Sequence, residues 1–278
     1  MSQDHSVGVP GGSLYYRTQG QGPPLILAGG GPSNADTLTE LAAQLDDEYT
    51  VVTYDRRGYS RSPLADPAAP VTIGEHAGDV GRIIDDLGLG PAVVFGSSIG
   101  AVIALELAAA APGEVARLVV HEPPLGQFLV GTERATFDEN DDEEDAGGGA
   151  EGGAASRLNA LAGAIGVRRG AQGGPGSGTG GGIPAGGGDK ARAADVELFV
   201  TRDMPAVGEY HLDLARLAPL AGRIAVTAGR ESRDFYPHLC AGRLAGALGL
   251  PWTELPGHHA GMIQHPAEFA AELRGLLG

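Results

Sequence analysis

Short unbroken apolar runs alternate along this chain with stretches in which apolar residues recur every third and fourth position. Leu25-Ile26-Leu27-Ala28, Tyr49-Thr50-Val51-Val52-Thr53-Tyr54, Pro91-Ala92-Val93-Val94-Phe95, Leu118-Val119-Val120-His121, Ile224-Ala225-Val226-Thr227 and Trp252-Thr253-Glu254-Leu255 read as strands. Between them, helices are predicted from about Ala35 to Leu45, from Ile73 to Leu87, after Ser98, from Phe235 to Leu248 and from Pro266 onward. In the second of these, Val80, Ile83, Ile84 and Leu87 share one face. Val7-Gly8-Val9 and Leu14-Tyr15-Tyr16-Arg17, joined by Pro10-Gly11-Gly12-Ser13, predict an N-terminal hairpin. Strands that are apolar throughout and separated by helices predict an α/β fold, with a mostly parallel sheet covered on both faces. Functional groups in such sheets gather at the carboxyl ends of the strands.

The alternation lapses between Leu125 and Pro205. An acidic run, Asp138 to Asp145, is followed by Gly147-Gly148-Gly149 and by the tract Gly173 to Gly188. Glycine at this density loses much entropy on ordering and offers little to bury, which predicts a partly flexible segment with the acidic run as solvated linker. Helical pieces are expected at Arg157 to Val167 and at Asp195 to Met204, where Val196, Phe199 and Val200 form a stripe. The domain reading is a core of residues 1–124 and 206–278, with 125–205 inserted after the sixth strand as a sparse helical cap.

Composition narrows the possible partners. The 278 residues are 42% hydrophobic and carry a formal net charge of −16 without a basic cluster, which disfavours nucleic acid and an anionic membrane surface. Cys240 is the sole cysteine, so an internal disulfide or a cysteine metal cluster is excluded. The N-terminus has neither a basic nor an apolar leader region, and no apolar run is long enough to span a bilayer, which predicts a cytoplasmic location.

The chemistry centres on Gly96-Ser97-Ser98-Ile99-Gly100, a G-x-S-x-G pentapeptide placed between a strand and a helix. A serine on such a sharp turn needs glycine two residues away on either side, and the helix beyond it aims its positive end at the hydroxyl. A serine nucleophile requires a base, and the base requires an acid. Pro256-Gly257-His258-His259, after the final strand, supplies the base, with His259 favoured and His258 as the alternative. Oxyanion donors are expected from the N–H of Ile99 and from Gly30 or Gly31 in Gly29-Gly30-Gly31-Pro32. The acid commonly follows the strand at Ile224, but Ser232 stands there, and a serine carries no charge. Glu122, in His121-Glu122-Pro123-Pro124 at the end of the preceding strand, is favoured over Glu231 and Asp234. Asp55, also at a strand end, is expected to pair with the adjacent arginines.

With Tyr54-Asp55-Arg56-Arg57-Gly58-Tyr59-Ser60-Arg61-Ser62 and His265-Pro266-Ala267-Glu268-Phe269, these markers resemble the α/β-hydrolase superfamily over nearly the whole core, with the cap segment unplaced. The His121-Glu122-Pro123-Pro124 and Pro256-Gly257-His258-His259 segments are further similar to the zearalenone-type lactone hydrolases, whose triad is Ser–Glu–His. That resemblance implies a triad of Ser98, Glu122 and His259 and says less about substrate; the reading is a serine hydrolase acting on a neutral or apolar small-molecule carboxylic ester or lactone, with no metal or organic cofactor. The glycine-rich insertion does not resemble that group's cap. A carbon–carbon bond hydrolase on the same triad and a non-catalytic ligand-binding scaffold are the alternatives.

Overall fold

The computed structural model describes residues 2–66, 69–142, 150–167 and 189–278. Eight strands, β1 (Gln3–Val9), β2 (Gly12–Gln19), β3 (Pro24–Ala28), β4 (Thr50–Tyr54), β5 (Ala92–Ser97), β6 (Val115–His121), β7 (Ile224–Gly229) and β8 (Trp252–Leu255), form one sheet in the order β1-β2-β4-β3-β5-β6-β7-β8. β1 and β2 form the expected antiparallel hairpin and β2 pairs antiparallel with β4, while every other pairing is parallel.

Successive side chains of the central strands enter opposite faces, and each face has its own helices. Ile26, Val94 and Val120 join α2 (Ile73–Leu87), α3 (Ile99–Ala110) and α9 (Tyr236–Leu248) in one core. Leu25, Leu27, Phe95 and Val119 join α1 (Thr39–Ala43) and α11 (Pro266–Leu277) in the other. The short α10 (Gly261–Gln264) precedes α11. No helix among the described residues is long and apolar enough to cross a membrane.

Helices also fill the described part of the insertion: α4 (Gly131–Asp142), α5 (Ala150–Ala164), α6 (Asp189–Leu198), a π-helical turn at Phe199–Asp203 and α7 (Met204–Glu209). The short α8 (Leu214–Leu217) leads back to β7. The two anticipated helical pieces are present but begin earlier, at Ala150 and Asp189. The first part of the acidic run is not a linker, because Asp138–Asp142 continue α4, which Arg134 steadies through an ion pair to Asp138 one turn on, while residues 143–145 and 147–149 lie outside the described residues. The glycine tract Gly173–Gly188, expected to be flexible, lies outside the described residues. The helix anticipated over Ala35–Leu45 is shorter, because Asn34 and Thr37 divert the preceding backbone. Thr37 Oγ1 accepts from Asn34 N at 3.1 Å and Asn34 Oδ1 accepts from Asp36 N at 3.1 Å, closing turns in place of a helical start.

Candidate active site

Ser98 follows β5 directly and starts α3 with φ +55°, ψ −127°. A non-glycine residue rarely holds a positive φ, and here the surroundings enforce it. A Cβ on Gly96 would fall 2.4 Å from the carbonyl oxygen of Gly100, and one on Gly100 would fall 2.0 Å from that of Ala28. The backbone N–H of Ser98 donates to the carbonyl of His121 at 2.9 Å, so the β5–β6 ladder runs up to the serine itself. Its hydroxyl makes no capping bond to α3, which leaves it half-buried at the positive end of the helix.

Glu122 emerges from the neighbouring strand in the same way, with φ +50° and its N–H donating to Thr227 O at 3.0 Å. Its side chain is fully buried. Oε2 lies 2.6 Å from Nδ1 of His259, while Oε1 accepts from the N–H of Gly229 at 2.7 Å and from the hydroxyl of Ser232. Burial opposes ionisation, but the hydrogen bond and charge of His259, the nearby His121 and the Ser232 hydroxyl outweigh it and lower the carboxyl to about 2. Burial lowers the fully enclosed His121 ring to about 4, against the attraction of Glu122.

The structure thus brings Glu122 to His259 and leaves Glu231 and Asp234 on the exposed surface. Of the two histidines, His258 has its Nδ1 occupied by the N–H of Ala260 at 3.1 Å, closing the loop in which His259 turns inward. A Cβ on Gly229 would lie 2.7 Å from the Gly257 oxygen, so β7 and the histidine loop are in tight backbone contact.

On the other side of Ser98, Gly30 packs so closely that a Cβ there would sit 2.7 Å from that of Ser98. Among the described residues, the N–H groups of Gly30, Gly31 and Ile99 donate to no protein acceptor. The carbonyls of the three glycines are engaged: Arg56 donates to those of Gly29 and Gly31, and the Ser33 hydroxyl to that of Gly30.

Ser98 and His259 both line two neighbouring cavities, with no direct hydrogen bond between their side chains. The larger, about 270 Å³, runs past Gly30 toward α5 and Arg192. The smaller, about 40 Å³, is enclosed by Pro124, Met204 and Tyr236. Leu161, Ile165 and Phe199 belong to both walls.

A family model described as the alpha/beta hydrolase fold matches residues 23–159. An uncharacterized hydrolase of Bacillus subtilis, YraK, is 32% identical over 276 residues, covering 97% of this chain and 94% of its own. The chain belongs to the α/β-hydrolase family. Among solved structures, an alpha/beta hydrolase from Sphaerobacter thermophilus is 25% identical and superposes with a TM-score of 0.70, over 99% of this chain and all (100%) of its own. A thermophilic esterase from Thermogutta terrifontis shares the fold at 19% identity, with a TM-score of 0.63 over 99% of this chain and 98% of its own.

Several contacts around the site of this hydrolase differ from, or go beyond, what its sequence predicts. Ser232, which stands where an acid commonly lies, donates to the Glu122 carboxylate. Asp55 does pair with an arginine, but with Arg61, through bonds of 2.7 and 2.8 Å, and not with its neighbours. Arg57 turns to Asp79 in a buried two-pronged pair of 2.7 and 2.6 Å, and Arg56 turns to the glycine loop. His238 donates through Nδ1 to the carbonyl of Gly229 at 3.2 Å, bracing the strand end whose N–H holds Glu122. Local sequence carries no signal for this last contact, since it depends on how α9 sits against β7.

Proposed function

We propose that this hydrolase is a serine hydrolase that opens a neutral or apolar carboxylic ester or lactone through an acyl-enzyme. The observation carrying the reading is the 2.6 Å contact of His259 Nδ1 with Glu122, in a cavity wall shared with the Ser98 hydroxyl. With the Nδ1 proton donated to Glu122, the other ring nitrogen is free to take the proton of Ser98. Ser98 Oγ then attacks the carbonyl carbon, and the unengaged N–H of Ile99 with that of Gly30 or Gly31 receives the oxyanion. The imidazolium, stabilised by the Glu122 carboxylate, gives its proton to the departing alkoxide as the carbonyl re-forms. Water repeats the sequence on the acyl-enzyme and releases the acid. In a lactone, the alcohol remains tethered to the acyl group, and deacylation releases a hydroxy acid.

The mainly apolar walls from α5 and the π-turn support an apolar substrate body. Residues 125–205 on this reading are the cap, closing the strand ends from above.

Incubation with a fluorophosphonate should add one phosphonyl group to the wild-type protein and none to Ser98→Ala. The same pair is then offered a panel from short acyl esters to a resorcylic macrolactone, followed by LC–MS. Turnover by the wild type alone supports the reading, and ring opening selects the lactone branch. Absence of an adduct on wild type, or labelling that persists in Ser98→Ala, overturns it.

A further inference from the structure

Arg56 is almost fully enclosed, at 2% exposure, and its guanidinium joins three parts of the molecule. Nη1 and Nη2 donate to the carbonyls of Gly29, at 3.1 Å, and Gly31. Nε lies 3.0 Å from Oδ2 of Asp203 without an aligned hydrogen bond, a pairing of charge more than of direction. The guanidinium carbon sits 4.5 Å from the centre of the Tyr59 ring. Asp203 belongs to the π-turn of the insertion and is itself buried. It also accepts from the Tyr59 hydroxyl at 2.7 Å and lies 3.1 Å from His76 Nε2.

A peptide unit is planar and trans, so the direction of its carbonyl fixes that of the N–H on its far side. Holding the Gly29 carbonyl therefore sets the Gly30 N–H, and the Ser33 hydroxyl on the Gly30 carbonyl does the same for Gly31 N–H. Glycine has no side chain to resist rotation of these peptides. A run of three glycines keeps the Gly30 donor on a fixed bearing only if something grips the Gly29 oxygen, and Arg56 does so with one prong of a planar fork whose other prong steadies the loop at the Gly31 oxygen. The fork is neutralised by a carboxylate that arrives from the insertion, on the same five-residue turn as Phe199 of the cavity wall.

We propose that Arg56 is a positioning residue that aims the Gly30 oxyanion donor, and that Asp203 anchors it, so that the glycine loop is set by the seating of the insertion. This rests on the reading of Ser98 as nucleophile. Arg56→Lys retains the charge beside Asp203 but cannot span both carbonyls. It should lower kcat on an activated ester about 10- to 100-fold with KM changed less than about threefold, since loss of a single oxyanion donor typically costs that much or more. A trifluoromethyl ketone, which becomes a tetrahedral oxyanion on the serine, should weaken by the same factor as kcat. Asp203→Asn should show the same pattern at about fivefold, because misplacement at a distance still reaches the reacting atoms. If Arg56→Lys does not fold by circular dichroism, Asp203→Asn decides.

Folded variants with wild-type kcat, or with a raised KM and unchanged ketone affinity, overturn the proposal. Fluorophosphonate separates the two levels: a wild type that does not react removes the Ser98 reading and this inference with it. A wild type and an Arg56→Lys variant that react equally fast leave Ser98 standing and remove Arg56 alone.

Discussion

Glu122 stays ionised away from solvent because both of its oxygens have donors: His259 on one side, Gly229 N–H and Ser232 on the other. Glu122→Gln keeps the shape but replaces the charge, and can present an N–H where His259 needs an acceptor. On the proposed mechanism, it should lower kcat on the order of 10³- to 10⁴-fold, while Glu231→Gln and Asp234→Asn stay within about twofold; steady-state kinetics on one ester distinguish them. Acid stability follows from the same residues in two stages. His121 is lowered to about 4, so between the ordinary histidine value of 6.5 and 4 the unfolded chain takes up the proton first, and stability falls as pH falls. Glu122, lowered from 4.5 to about 2, contributes stability that is complete above 4.5 and disappears as pH falls toward 2. Urea midpoints measured from pH 7 to pH 3 should decline over both intervals, and Glu122→Gln should flatten the lower one. A midpoint constant down to pH 4 would contradict the assignment for His121.

At the scale of elements, the junctions of β3, β5 and α3 depend on glycines where backbones nearly touch. Gly100→Ala would drive a methyl into the Ala28 carbonyl at 2.0 Å, in a place where neither partner is a flexible side chain. It should cost about 3 kcal/mol or more, a loss of roughly 10 °C in Tm, whereas Gly113→Ala, with open space around it, should stay within about 1 kcal/mol. Differential scanning calorimetry of the two variants checks the contrast. Gly96 and Gly100 were legible because the steric demand of the turn lies within five residues, and α2 because its apolar face repeats over fifteen, closed by Thr72 and Glu75 at one end and Gly88 at the other. Elements that depend on distant partners were not. α4 is mostly polar and is anchored by Phe137, buried with its ring edge-on to Tyr236, while α1 lost its first turns to two side chains that prefer the backbone nearby. The site divides along the same line. Ser98, Glu122 and His259 stand in short recognisable segments, while Tyr59 and Asp203, 144 positions apart, meet only once the insertion folds onto the core.

In the whole molecule, the insertion supplies much of the wall that a substrate would touch, and Phe199 belongs to both cavities flanking Ser98. Phe199→Ala should merge them, raising kcat/KM for esters bulky on both sides of the carbonyl by about tenfold relative to small ones, a value within the range a buried aromatic contributes. A competition assay with one bulky and one small ester reads the ratio directly. The order in which the parts are laid down has a consequence of its own. Glu122 leaves β6 before the insertion begins, and its partner His259 arrives 137 residues later, after the last strand has paired. On the proposed mechanism, a growing chain therefore holds its serine, its acid and most of the sheet well before it holds a base. Contacts of such long range also close late when the denatured protein is refolded. Catalytic competence should consequently lag behind the far-ultraviolet circular dichroism signal, making the first appearance of turnover a clock for the docking of the final strand and helix.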